Sequence, residues 1–140
     1  MKKKEAYKII VSIVLQHYPD SQAIYLFGSY MTLHEWPCSD VDIAILLPRD
    51  QAHRERQLML TPYHSALAEA LEKAVDLLNA RMVETVFQKE IIQTARLLYC
   101  SDHNARLDFE ALTLSLYQKL NDERKEIVEA FEKSGRAYSV

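Results

Sequence analysis

Ala6, Ile9, Ile10, Ile13 and Val14 recur at the spacing of one helical face, which predicts a core-facing helix over 5–17. Pro19-Asp20-Ser21 ends it and turns the chain. The run Ala23-Ile24-Tyr25-Leu26-Phe27 is short, apolar and aromatic, as suits a buried strand. Gly28-Ser29 closes that strand, a short helical turn is expected over 29–34, and Trp36-Pro37-Cys38-Ser39 reads as a loop. A second strand, 41–47, is β-branched and apolar and is stopped by Pro48. Residues 51–60 are polar and predicted helical. Thr61-Pro62 opens a further helix to about Lys73, with Thr61 as cap and Pro62 in the first turn. A third strand at 74–78, a helix over 83–95 and a brief apolar stretch at Leu97-Leu98-Tyr99 follow.

The last quarter predicts one long helix, roughly 103–134. Phe109, Leu112, Leu116, Leu120, Ile127 and Phe131 fall near a single stripe, which Leu107, Leu114, Tyr117 and Val128 widen. Such a stripe covers the domain or faces a partner, and the pattern alone leaves both open.

Composition narrows the class. The 140 residues suit one domain, a catalytic core over about 5–100 followed by the C-terminal helix. With 49% hydrophobic and 26% charged residues the chain is globular rather than disordered. A net charge of −3 lacks the basic footprint of a direct nucleic-acid partner. The basic start and the apolar 9–15 raise the question of a signal peptide. Lys8 interrupts the transition and Gln16-His17-Tyr18-Pro19-Asp20 offers no small-residue cleavage site. No apolar run is long enough for a membrane span, so a cytoplasmic protein is expected, with Cys38 and Cys100 as free thiols.

Glycine usage adds one point. The chain has two glycines, where average usage of about 7% gives roughly ten. Gly135 lies near the C-terminus. Gly28 stands between an apolar strand and a polar segment, where a specific backbone need is the natural explanation.

The chemistry concentrates around that glycine. Gly28-Ser29, ten further residues and then Asp40-Val41-Asp42 is the informative pattern. Side chains at i and i+2 of a strand point the same way, so Asp40 and Asp42 are expected to project together. Paired carboxylates repel, and a hard divalent cation such as Mg²⁺ resolves the conflict while engaging substrate phosphates. Gly28 permits close backbone approach to a phosphate, and Ser29 offers a hydroxyl and backbone N–H groups to an anion. Asp76 interrupts the apolar run 74–78, where a charge is costly unless paired. Alone it reads equally as a solvated strand end. Beside 41–47 it completes a three-carboxylate cluster and can serve as general base toward an incoming hydroxyl. The reaction suggested is metal-assisted displacement at phosphorus.

On these residues the chain resembles the polymerase-β-type nucleotidyltransferases, and most of all their minimal, single-domain branch. The resemblance spans roughly 5–100. It implies an α/β (α+β) fold with a short mixed central sheet flanked by helices. It assigns metal binding to Asp40, Asp42 and Asp76, and contact with the nucleotide triphosphate to Gly28 and Ser29. The minimal branch is similar to bacterial antitoxins paired with helical HEPN ribonuclease toxins. That similarity implies Mg²⁺, two ions by expectation, ATP as donor and AMP transfer to a tyrosine of the toxin. The family often carries an arginine and a further glycine soon after Gly-Ser. Here Tyr30 and Met31 follow, and the loop to Asp40 has no glycine and no basic residue but His34.

Other residues carry less. The histidines at 17, 34, 53, 64 and 103 show no ligand spacing, and His34 with Cys38 supplies only two of a zinc site's four ligands. Trp36 is expected to pack on its own domain rather than stack on a base. Arg96 reads equally as a phosphate contact or a solvated helix end. Two rival functions remain beside protein adenylylation: modification of a small molecule, as aminoglycoside nucleotidyltransferases perform, and neutralisation of a toxin by binding alone.

Overall fold

The computed structural model describes residues 2–33, 35–36, 39–58 and 62–134. Helix α1 (Lys3–His17) places Ala6, Ile10 and Val14, one residue per turn, fully inside. Its end is tied down where the Tyr18 N–H donates to the Val14 carbonyl and the Ser21 hydroxyl donates to the Tyr18 carbonyl. Strands β1 (Ala23–Phe27) and β2 (Val41–Leu46) pair antiparallel. Helices α2 (Arg49–Arg54) and α3 (Pro62–Leu71) then carry the chain over to β3 (Val75–Asn79), which runs parallel to β2. Helix α4 (Thr85–Thr94), strand β4 (Arg96–Cys100) and helix α5 (His103–Ser134) complete the order. The sheet is mixed, in the order β3-β2-β1-β4.

Strand alternation sorts the core into two layers. Ile24, Leu26, Val41, Ile43, Ile45, Val75 and Leu77 face α1 and α3, where Ile10, Leu67 and Leu71 meet them. Ala23, Tyr25, Ala44, Leu46 and Ala80 face the opposite way, toward Ile91 of α4 and Phe109 of α5. Each large side chain buried here stabilises the fold by about 1.5–3 kcal/mol. Asn79, at the end of β3, donates its amide to the Ala52 and Glu55 carbonyls at 3.0 Å each, satisfying the end of α2.

Several boundaries differ from expectation. The helix expected over 51–60 is shorter and earlier, because Pro48 serves as its N-cap and the backbone leaves helical geometry at Glu55. Thr61, the expected cap, lies outside the described residues. Helix α3 stops at Leu71 because Glu72 adopts a left-handed φ of 54°. The segment after Gly28 forms turns, not a helical turn, with Met31 at φ 60°. The apolar stretch at 97–99 is a full strand, paired antiparallel to β1. Helix α5 is as long as expected, but its stripe divides. Phe109 and Thr113 are buried, whereas Leu112, Leu116, Leu120, Ile127 and Phe131 are 40–55% exposed. Among the described residues, no helix is long and apolar enough to cross a membrane.

Candidate active site

Register brings the expected carboxylates together. Asp42 lies opposite Phe27 of β1 on one side and opposite Asp76 of β3 on the other. All three alternate in phase with the layer that faces α4, so they form one row across the sheet. Asp42 and Asp76 are half-buried, while Asp40 precedes β2 and is exposed. Among the described residues, no three carboxylate, imidazole or thiol side chains already stand as a complete metal cage. The fold presents a preassembled pair, Asp42 with Asp76, and a third carboxylate, Asp40, acting on Asp42 more weakly than Asp76 does.

The electrostatics follow. Burial, then the charge of Asp76, a side-chain hydrogen bond with Asp76 and the charge of Asp40 push the Asp42 carboxyl up to about 6. Two carboxylates in this position cannot both ionise without cost unless a cation neutralises them. The donor set, hard oxygens on a half-buried face, fits a divalent ion of the Mg²⁺ type.

Gly28 is pressed against this pair. Its φ is +77°, and a Cβ built on it would stand 2.3 Å from Asp42 Oδ2. The turn therefore needs glycine twice over, for its left-handed backbone and for the absent side chain. The turn is also held from below. Arg96, first residue of β4, donates to the Tyr30 carbonyl at 2.6 Å, the Gly28 carbonyl at 3.2 Å and the Tyr7 hydroxyl at 3.1 Å. Its planar fork fixes the Gly28–Tyr30 backbone relative to α1 and β4. Ser29 ties the loop to its far side. Its hydroxyl donates to Ser39 Oγ at 3.0 Å, and the Ser29 carbonyl accepts from the N–H and hydroxyl of Thr32 at 3.0 and 2.6 Å.

The polymerase beta nucleotidyltransferase family model matches residues 10–104. The chain belongs to this nucleotidyltransferase family. It is 32% identical over 120 residues to the protein adenylyltransferase MntA of Shewanella oneidensis, covering 86% of this chain and 83% of that protein. Among solved structures it is similar to a toxin–antitoxin complex with AMP-PNP, at TM-score 0.68 and 29% identity over 90% of this chain and 98% of the other. A complex of tri-AMPylated Shewanella oneidensis HEPN toxin with MNT antitoxin matches at TM-score 0.67 and 28% identity, covering 94% and 99%.

Within this nucleotidyltransferase, two site residues escape a reading of the sequence. Arg96 opens strand β4 rather than ending a solvated helix, and it braces the Gly28 turn. Lys73 reaches the carbonyls of Trp36 and Ser39 at 3.5 and 3.4 Å, pairs with Glu35 at 3.5 Å and stands 5.9 Å from the centre of the Tyr30 ring. It holds the loop between Ser29 and Asp40 from the end of α3. The left-handed Glu72 aims it there. Its position three residues before Asp76 was the available signal. Trp36 departs from expectation in being 68% exposed rather than packed on the domain. His34 and Cys38 lie outside the described residues. His64 contacts the Val75 carbonyl and His103 bonds Arg106, so neither is offered as a ligand. Cys100 is a free thiol, as expected.

Replacing Arg96 with methionine is expected to weaken AMP-PNP binding about tenfold and to cost about 2 kcal/mol of stability. Lysine should rescue little, since one ammonium cannot serve both carbonyls in the same plane. Calorimetric titration with AMP-PNP and urea unfolding of both variants check this.

Proposed function

We propose that this nucleotidyltransferase moves AMP from ATP onto a tyrosine hydroxyl of a cognate HEPN-type ribonuclease toxin, and so acts as its antitoxin in the cytoplasm. The observation that carries the reading is Asp42 and Asp76 side by side in register, with Gly28 packed on Asp42. The similarity to an adenylyltransferase and to toxin–antitoxin complexes supports it. The whole chain is read as one catalytic domain.

Asp40, Asp42 and Asp76 would hold Mg²⁺, by expectation two ions, which neutralise triphosphate charge and polarise the α-phosphate when bound. The chain's own groups do the rest. The Gly28-Ser29 turn, with no Cβ at Gly28, lets triphosphate oxygens approach the backbone beside the carboxylates. Asp76 accepts the proton of the attacking hydroxyl. The hydroxyl oxygen bonds to the α-phosphorus, the bond from that phosphorus to the bridging oxygen breaks, and pyrophosphate leaves. Arg96 and Lys73 hold the turn and its loop in place throughout.

Intact-mass spectrometry of the toxin after incubation with this protein, ATP and Mg²⁺ tests the proposal. Addition of one or more AMP units is expected, and none with Asp42→Asn. An unmodified toxin in a stable complex would replace this reading with neutralisation by contact.

A further inference from the structure

The row of side chains that carries the catalytic pair does not end at the carboxylates. Phe27 lies opposite Asp42, and its ring meets Phe87 of α4 edge to face, with centroids 5.7 Å apart. On the other side Leu78 follows Asp76 by two residues on the same strand face, about 7 Å along β3. Between Leu78 and Phe87 opens a hollow of about 310 Å³, lined by Leu78, Met82, Val83, Glu84 and Phe87. It borders an edge strand, so it is open to a large partner. Phe87 is 42% exposed.

Resting on the adenylyl-transfer reading above, we propose that this hollow is the acceptor subsite and that it takes a phenol side chain of the acceptor protein. The chemistry of the walls selects that class. Four of the five lining side chains are apolar, and two of them suit an aromatic ring: Phe87 edge to face, and Met82 through its thioether. A sugar or aminocyclitol would leave most of its hydroxyls without partners here. A serine or threonine side chain would leave the hollow unfilled. A phenol lays its ring against Phe87 and Met82 and turns its one polar atom toward the carboxylate row. The attacking oxygen then stands beside Asp76, the residue that accepts its proton, and the ring is fixed before bond formation.

Phe87→Gln removes the aromatic wall without adding charge, at an exposed helical position that glutamine tolerates. The expected result is a rise of about tenfold in KM for the HEPN-type acceptor, with AMP-PNP affinity changed by less than about twofold. An equal loss of AMP-PNP affinity would assign the hollow to adenine and overturn the proposal, as would an unchanged KM. Binding is read separately in the wild-type protein with AMP-PNP present. The Met82 methyl resonance should shift with N-acetyltyrosinamide and stay fixed with N-acetylserinamide. A fixed resonance with both overturns the subsite even if transfer proceeds. A shift without any AMP transfer leaves a hollow that binds phenols and overturns its role as acceptor subsite together with the enzymatic reading.

Discussion

Asp42→Asn is expected to lower AMP transfer by roughly 10³-fold, the scale of several kcal/mol of lost charge stabilisation at a phosphoryl site. The same change should raise the stability of the metal-free protein at neutral pH. The Asp42 carboxyl, ordinarily at 3.8, is held at about 6 by burial and by Asp76. Between those values the folded chain holds a proton that the unfolded chain has released. Stability from this group is therefore greatest below about pH 4 and is lost as pH rises through about 6. Asparagine removes the titration. In EDTA the variant should melt above the wild type at pH 7.5, and the two curves should converge toward pH 4. A variant that transfers AMP like the wild type would remove Asp42 from the mechanism. One that melts below wild type at pH 7.5 would refute the like-charge conflict.

The second large effect is expected at Gly28→Ala. A left-handed φ of 77° costs an alanine roughly 1–2 kcal/mol. The added Cβ would also meet Asp42 Oδ2 at 2.3 Å, so either the turn or the carboxylate must move. Displacement of an ångström at a reacting centre lowers rates about a hundredfold. The variant should keep its fold, with a melting temperature lower by roughly 3–6 °C. Near-normal transfer with normal melting would show that the turn does not bear on Asp42. Comparison with Asp42→Asn separates the two effects, because one variant loses a charge and the other only its position.

Much of this was legible in the chain. The apolar run 23–27 ending in Gly28, and the charged Asp42 and Asp76 inside apolar strands, mark their own elements, because strand pattern and burial are local signals. What the sequence did not carry was who meets whom. Asp76 as a solvated strand end and Asp76 as one of a carboxylate pair differ only in the parallel pairing of β2 with β3, which places it opposite Asp42. Arg96 stayed undecided for the same reason. Its role exists because β4 pairs with β1 and brings a guanidinium beneath a turn 68 positions away. Trp36 differs from expectation because a large apolar side chain in a loop predicts burial on average, and the contacts of Lys73 fix the loop through its backbone instead. The stripe on α5 is visible in the sequence. Only its division, buried at Phe109 and open from Leu112 onward, requires the fold.

The parallel pairing of β2 and β3 has one more consequence. Asp42 and Asp76 are 34 positions apart, and the chain between them must pass through α2 and α3 before they can meet. Contacts of this kind form late, since loop closure comes before any reward. No fragment ending before β3 can carry the carboxylate pair, and a chain emerging during synthesis has none until that strand is home. The centre belongs to the finished sheet and to no segment of it.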